Sequence, residues 1–136
     1  MNIYLAIKYH ADLCNKSLIE TISEQLEHAG HSVYCIHRDL EGWGVKSFSA
    51  QKLMQKSFEA IRSSDLILIE FSEKGVGLGI EAGYAHALEK PIIVMAKTGS
   101  DISTTLQGIA ARVLFYQKQT GLTQLIQSLE QETIAS

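Results

Sequence analysis

Residues 73–85, Glu-Lys-Gly-Val-Gly-Leu-Gly-Ile-Glu-Ala-Gly-Tyr-Ala, hold the most suggestive chemistry of the chain. Gly75, Gly77 and Gly79 alternate along this stretch, and Glu81 follows them. Glycines let a backbone turn sharply and let a ligand approach it closely. The N–H groups that open a helix favour anions. With a helix beginning near Ile80, Glu81 falls in the first turn, where the helix dipole and free N–H groups keep a carboxylate ionised. At a ligand-binding edge, such a carboxylate serves as nucleophile or electrostatic stabiliser in glycosidic chemistry. The same placement also suits plain helix stabilisation. The dinucleotide fingerprint is not met. Gly75 and Gly77 fit its first two glycines, but Ile80 occupies the third position, and there is no Walker A sequence.

The elements that must position Glu81 follow from hydrophobic spacing. Residues 2–7 read as an apolar strand, and Leu18, Ile22, Leu26 and Ala29 form one helical stripe over residues 13–29. Asp12 is the expected N-cap of that helix and Gly30 its C-terminal glycine. Residues 32–37 read as a second strand. Residues 38–48, with Gly42 and Gly44 flanking Trp43, have no clean period and read as a long surface loop. Ser49 caps the next helix. Residues 65–71 are nearly all apolar, as a central parallel strand covered on both faces requires. After the glycine segment come a helix to residue 89, a strand over 92–96, a short helix over 104–110, a strand over 113–116 and a closing helix.

Strands and helices alternate five times. That pattern predicts a flavodoxin-like or Rossmann-like three-layer α/β sandwich with a five-stranded parallel sheet in the order 2-1-3-4-5. Residues 1–136 read as one domain, without repeats or linkers. Ligands bind such folds outside the carboxyl ends of the strands, near the switch point between strands 1 and 3. Residues 8–12, 75–79 and 97–103 reach that edge.

Composition narrows the field further. The chain has 136 residues, a net charge of −3, two cysteines and one proline. A chain of this length buries roughly two-thirds of its unfolded surface and needs no disulfide framework. The charge excludes a basic nucleic-acid track. No apolar run approaches the roughly 18 residues of a membrane span. The N-terminus lacks a basic leader region, and Cys14 and Cys35 read as reduced thiols, so a cytoplasmic protein is expected. His28, His31, Cys35 and His37 match no compact zinc spacing, and no metal or cofactor is expected.

Residues 75–91, Gly-Val-Gly-Leu-Gly-Ile-Glu-Ala-Gly-Tyr-Ala-His-Ala-Leu-Glu-Lys-Pro, resemble the signature of the nucleoside 2-deoxyribosyltransferase-like family. That family includes a branch of deoxynucleoside 5′-monophosphate N-glycosidases. Residues 2–6, 65–70 and 101–110 are similar to its first strand, third strand and a downstream helix. The resemblance implies that Glu81 is the nucleophile on the deoxyribose anomeric carbon. Water would resolve the ester in a hydrolase, and a second base in a transferase. It implies a small nucleoside or nucleotide as substrate and a homo-oligomer, a dimer or larger. It also implies that Ser103 contacts substrate phosphate, sometimes across a dimer interface. The chain departs from the family at three places. Ser57 stands where the family has Asp, Gly75 where transferases carry Asp and hydrolases Ser, and residues 8–12 lack the usual glycine turn.

The departures leave the leaving-group acid open, with Asp39, Asp12 and His10 as candidates by location. Asp39 could equally pair with Arg38, and His10 could simply be solvated. Lys8 and Arg38 are the cations nearest the ligand edge and suit a phosphate. Trp43 could stack on a base or cap the core. Tyr4 faces in or out according to strand parity. Ser100, Asp101, Ser103 and Thr104 precede a helix, where they suit N-capping or a phosphate or sugar contact. A non-catalytic nucleotide-binding or sensor module on the same fold is the alternative reading, motivated by Ser57 and Gly75. A ribonucleotide phosphoribohydrolase ranks last, because its Pro-Gly-Gly element is missing.

Overall fold

The computed structural model describes the backbone of residues 1–135 and the side chains of residues 1–118 and 121–129. The elements are β1 (Asn2–Ile7), α1 (Lys16–His28), β2 (Ser32–Tyr34), a π turn (Ile36–Leu40), α2 (Ala50–Arg62), β3 (Leu66–Glu70) and α3 (Val76–Ala87). They continue with β4 (Ile92–Lys97), α4 (Thr104–Ile109), β5 (Arg112–Tyr116) and α5 (Gln119–Ala135). The five strands are parallel in the order β2-β1-β3-β4-β5, as the sequence pattern predicts.

Strand alternation divides the core in two. Ile3, Leu5, Leu68 and Met95 pack with Ile22 of α1 and Leu122 of α5. Tyr4, Ala6, Ile67 and Val94 pack on the other face with Ile61 of α2 and Ala82 of α3. The parity of β1 thus sends Tyr4 to the side where α3 lies. Ile67 and Ile69 are fully buried. Truncating either to Ala removes packing on that side at a cost of about 2–5 kcal/mol.

Several local expectations change. Helix α1 starts at Lys16 rather than directly after Asp12, and its N-cap is Asn15. Leu13 takes a left-handed φ of 58°, which keeps the chain out of the helix until then. The Asp12 carboxylate instead accepts from the Cys14 N–H at 3.1 Å. Asn15 turns its amide to the Lys8 carbonyl at 2.8 Å, tying the end of β1 to the helix start. At the other end, Gly30 (φ 98°) closes α1 as expected. Its N–H donates to Glu27 and the His31 N–H to Leu26, the paired bonds of a Schellman motif. Ser49 caps α2 as expected, accepting from the Lys52 N–H at 3.2 Å.

The second strand ends at Tyr34, three residues early, and residues 38–48 are not a simple loop. The Glu41 N–H reaches back five residues to the Ile36 carbonyl at 2.9 Å, and the Asp39 N–H to Cys35 at 2.7 Å. Gly42, Trp43 and Gly44 then run consecutively in the left-handed region, with φ of 54°, 59° and 90°. Glycine meets this without strain at two of the three positions, and Trp43 bears roughly 1–2 kcal/mol. Among the described residues no helix is long and apolar enough to cross a membrane.

Candidate functional site

At the carboxyl ends of β1 and β3, a cleft of about 520 Å³ opens between the π turn, α2 and α3. Tyr4 forms its floor, Lys8 and Tyr9 one rim, His37 and Glu41 another, and Gly75, Gly77 and Glu81 a third. A groove of similar volume near Asn2 and Ser32 lies at the opposite, amino end of the strands. The cleft at the carboxyl ends is the one that a parallel α/β sheet offers to ligands.

Glu81 is not in a first turn. Helix α3 begins at Val76, so Gly77 and Gly79 lie inside the helix and Glu81 is its sixth residue. The extra turn forms because Leu78, only 3% exposed, anchors it in the core. Six residues in, the pull of the helix dipole has faded. Burial dominates instead. It raises the Glu81 carboxyl from 4.5 to about 7, and a hydrogen bond from Tyr4 opposes it only in part. The first-turn placement expected to hold the carboxylate ionised is not met, and burial draws the carboxyl towards its protonated form. Its Oε2 is sealed from solvent and has no hydrogen-bond partner. Its Oε1 lies 4.0 Å from where a Cβ on Gly77 would stand.

Tyr4 is 1% exposed. Burial first, then the neighbouring Glu81 carboxylate, pushes its hydroxyl far above the ordinary range, so it stays protonated. Ser57 adjoins the same hydroxyl. The Ser57 Oγ donates to the Leu53 carbonyl at 2.9 Å, so its proton is already committed within α2.

Tyr4, Lys8, Gly75, Gly77 and Glu81 are thus gathered in one cleft. Lys8 holds its ammonium 3.9 Å from Glu73 Oε2. Gly79 faces a neighbouring groove between α3 and α4, which Ser103 also lines. The remaining candidates lie outside the cleft. His10 Nε2 sits 2.8 Å from Glu73 Oε2. The Arg38 guanidinium is shared among Glu27 at 2.9 Å, Asp39 at 3.0 Å and the Val33 carbonyl at 2.8 Å. Asp39 also accepts from the Cys35 N–H at 2.8 Å, which braces the π turn. Trp43 packs on the core face that α1 and α5 cover, with Lys16 Nζ 5.0 Å from its ring centre. Asp101 pairs with Lys74 at 2.5 Å. Ser103 opens α4 without a side-chain cap bond, Thr104 is its first residue, and the Ser100 N–H closes a turn onto Lys97.

Two features of the site have no counterpart in the sequence reading. His37 and Glu41 line the cleft, where only their neighbours Arg38 and Asp39 had drawn attention as cleft groups. Their i,i+4 spacing was the available signal. Glu70, 4% exposed at the end of β3, binds both the N–H and the hydroxyl of Ser72. The Ser72 Oγ accepts in turn from the Lys97 N–H at 2.9 Å. This chain of bonds fixes the connection that leads into Gly75, and burial raises the Glu70 carboxyl. As for metals, the donor atoms that come within 4.8 Å of one another belong to His10, Asp12 and Cys14.

The comparisons with known proteins agree with this architecture. A family model described as nucleoside 2-deoxyribosyltransferase matches residues 3–129. A 5-hydroxymethyl-dUMP N-hydrolase of Danio rerio is 24% identical over 119 residues, which covers 85% of this chain and 83% of the relative. The structure of a Clostridium botulinum CMP N-glycosidase matches with a TM-score of 0.70 at 20% identity, over 97% of this chain and 99% of that one. A 2-deoxyribosyltransferase of Bacillus psychrosaccharolyticus matches with a TM-score of 0.68 at 20% identity, over 90% of each chain. At such identity the solved structures speak for the fold alone. The family match runs from β1 into α5, and on it the chain belongs to the nucleoside 2-deoxyribosyltransferase family, enzymes that break N-glycosidic bonds or transfer the sugar between bases.

Proposed function

We propose that this enzyme cleaves the N-glycosidic bond of a small nucleoside or nucleoside 5′-monophosphate, with Glu81 as nucleophile. The observation that carries the reading is the Glu81 carboxyl. It lines the cleft at the sheet's ligand edge, with Oε1 on the side of Gly77, which lines the same cleft. With its ionisation near 7, a substantial fraction is carboxylate at neutral pH. The carboxylate attacks C1′ as the base departs, through a transition state with oxocarbenium character. The glycosyl ester is then hydrolysed by water, or passed to a second base. Tyr4 holds the carboxyl in line. Lys8, on the rim and paired only loosely with Glu73, suits a 5′-phosphate.

A homo-oligomer belongs to the same proposal. Val76 and Ile80 on α3 are 83% and 48% exposed, and a second copy would cover them. Sedimentation velocity measures that directly. A cytoplasmic setting suits the two free thiols, Cys14 and Cys35.

The activity test is incubation with a panel of ribo- and deoxynucleosides and their monophosphates, with free base followed by chromatography. Base is released by the wild type and not by Glu81→Ala. Equal release by the variant removes Glu81 from the role, and no release by the wild type from any member overturns the proposal. Release only when an acceptor base is added identifies a transferase.

A further inference from the structure

A departing nucleobase takes the electron pair of the C1′–N bond and needs a proton to leave readily. Glu81 cannot supply it while acting as a carboxylate nucleophile. The Ser57 proton is committed to Leu53. Tyr4 faces Glu81, Lys8 faces Glu73 and Tyr9 lies on the His37 ring. Among the described side chains of the cleft, His37 and Glu41 form the acid–base pair, with side-chain exposures of 16% and 17%.

Their geometry counts a proton. His37 Nε2 is 3.0 Å from the Ile7 carbonyl oxygen. A carbonyl only accepts, so Nε2 carries a hydrogen. Nδ1 then faces Glu41 Oε1 at 3.3 Å. A bare Nδ1 against an ionised carboxylate would set two lone pairs against each other. The contact is satisfied when one proton lies between them, as imidazolium with carboxylate or as imidazole with carboxylic acid. The π turn creates this contact, because the wide bond from Glu41 N–H to Ile36 brings both side chains to the cleft. Tyr9 covers the imidazole, with ring centres 5.3 Å apart. The other titratable groups of the cleft are Tyr4, Lys8 and Glu81.

We propose that the His37–Glu41 pair is the acid that protonates the leaving base, an inference that rests on the glycosidase reading above. A Glu81 carboxylate oxygen bonds to C1′ as the C1′–N bond breaks. The bond's electron pair goes to the base nitrogen. The shared proton passes to the base, which leaves neutral. The pair is left as imidazole and carboxylate with lone pairs opposed, and that state draws a proton back. Water attacking C1′ supplies it. The electrons of the ester bond return to Glu81, and the sugar leaves with a hydroxyl on C1′.

The test uses two substrates that differ in their need for a proton: a 2′-deoxynucleoside 5′-monophosphate and the 4-nitrophenyl glycoside of 2-deoxyribose 5-phosphate. Glu41→Gln and His37→Gln lose roughly 10²- to 10⁴-fold in kcat on the nucleotide and keep the first-turnover rate of nitrophenolate release from the nitrophenyl glycoside, the step that needs no proton. Glu81→Ala loses both. Unchanged nucleotide turnover in the pair variants, with Glu81→Ala inactive, overturns the inference alone. So do equal losses in nucleotide turnover and in that first-turnover release, which mark a structural role. A wild type inactive on both substrates overturns the glycosidase reading together with the inference. If either variant fails to fold, ¹⁵N and ¹³C spectra of the wild type decide. At pH 7 they show one proton shared by His37 Nδ1 and the Glu41 carboxyl, and its absence refutes the assignment.

Discussion

The Tyr4 hydroxyl on β1 faces the Glu81 carboxyl on α3 at the floor of the cleft, near enough to favour the charged form of the carboxyl. The donor is permanent, because burial and the facing carboxylate keep the phenol protonated. The bond favours the charged form of Glu81, while burial disfavours it and prevails. The result is a carboxyl that titrates near 7, oriented by a partner that never ionises. A carboxyl in that state is only partly solvated and partly charged, so small changes around it shift its ionisation.

The first prediction follows from that balance. In Tyr4→Phe the bond that stabilises the carboxylate is gone, and the Glu81 ionisation moves above 7. The acid limb of kcat/KM, which reports the free enzyme, moves to higher pH with it. A hydrogen bond to a charged group is worth about 1.5–3 kcal/mol. The rate at pH 6 therefore falls roughly tenfold to a hundredfold, and part of it returns by pH 8.5. A limb that stays in place would show that another group titrates.

The same carboxyl makes stability depend on pH. Unfolded, Glu81 ionises at 4.5; folded, at about 7. Between those values the folded chain holds a proton that the unfolded chain has released. The contribution of the protonated group is thus complete below about pH 4.5 and is lost as pH rises through 7. The difference is up to about 3 kcal/mol. Glu81→Gln has no such titration. Urea unfolding finds the variant more stable than wild type at pH 8, with the gap narrowing towards pH 4.5. A gap independent of pH would contradict the raised ionisation.

The fold was legible because its signals are redundant. The unbroken apolar run of β3 marks a covered central strand, and the alternating helical stripes admit few topologies besides 2-1-3-4-5. Glu81 was legible as a residue, from its place after three glycines, and illegible as an ionisation. Glycines argue against a helix, yet Gly77 and Gly79 lie within α3 because Leu78 is drawn into the core. That adds a turn and changes the field at Glu81. The π turn has no periodic signature, so His37 and Glu41 were hidden. Arg38 and Asp39 stood out by charge, but that charge serves the turn itself.

Gly77 separates stability from catalysis. A Cβ there meets only Glu81 Oε1, at 4.0 Å. Alanine inside a helix is favoured over glycine by about 1 kcal/mol. Gly77→Ala therefore raises Tm while its methyl group, in van der Waals contact with the carboxyl, takes up cleft space beside it and lowers kcat/KM. Gly79→Ala is the control, since nothing lies within 4 Å of its Cβ position. It raises Tm and leaves turnover unchanged. Calorimetry with steady-state kinetics on both variants checks the contrast, and a loss of activity in Gly79→Ala would show that its groove takes part.

Lys8 and Arg38, the two cations near the ligand edge, differ in how far they are engaged. The contact of Lys8 with Glu73 is an exposed pair at 3.9 Å, worth about 0–1 kcal/mol and readily exchanged for a ligand. Arg38 is engaged by two carboxylates and a backbone carbonyl, none of them in the cleft. Lys8→Ala should raise KM about tenfold for nucleoside 5′-monophosphates, with little change for the nucleosides, since one charge-assisted contact contributes roughly 1.5–3 kcal/mol at most. Arg38→Ala should leave the ratio of those KM values alone and lower stability by about 1–3 kcal/mol, because the Val33 carbonyl and the Asp39 carboxylate lose their partner. Phosphate selectivity that follows Arg38 instead would move the phosphate site to the β2 edge, away from Glu81. It would also be incompatible with a single substrate spanning the cleft.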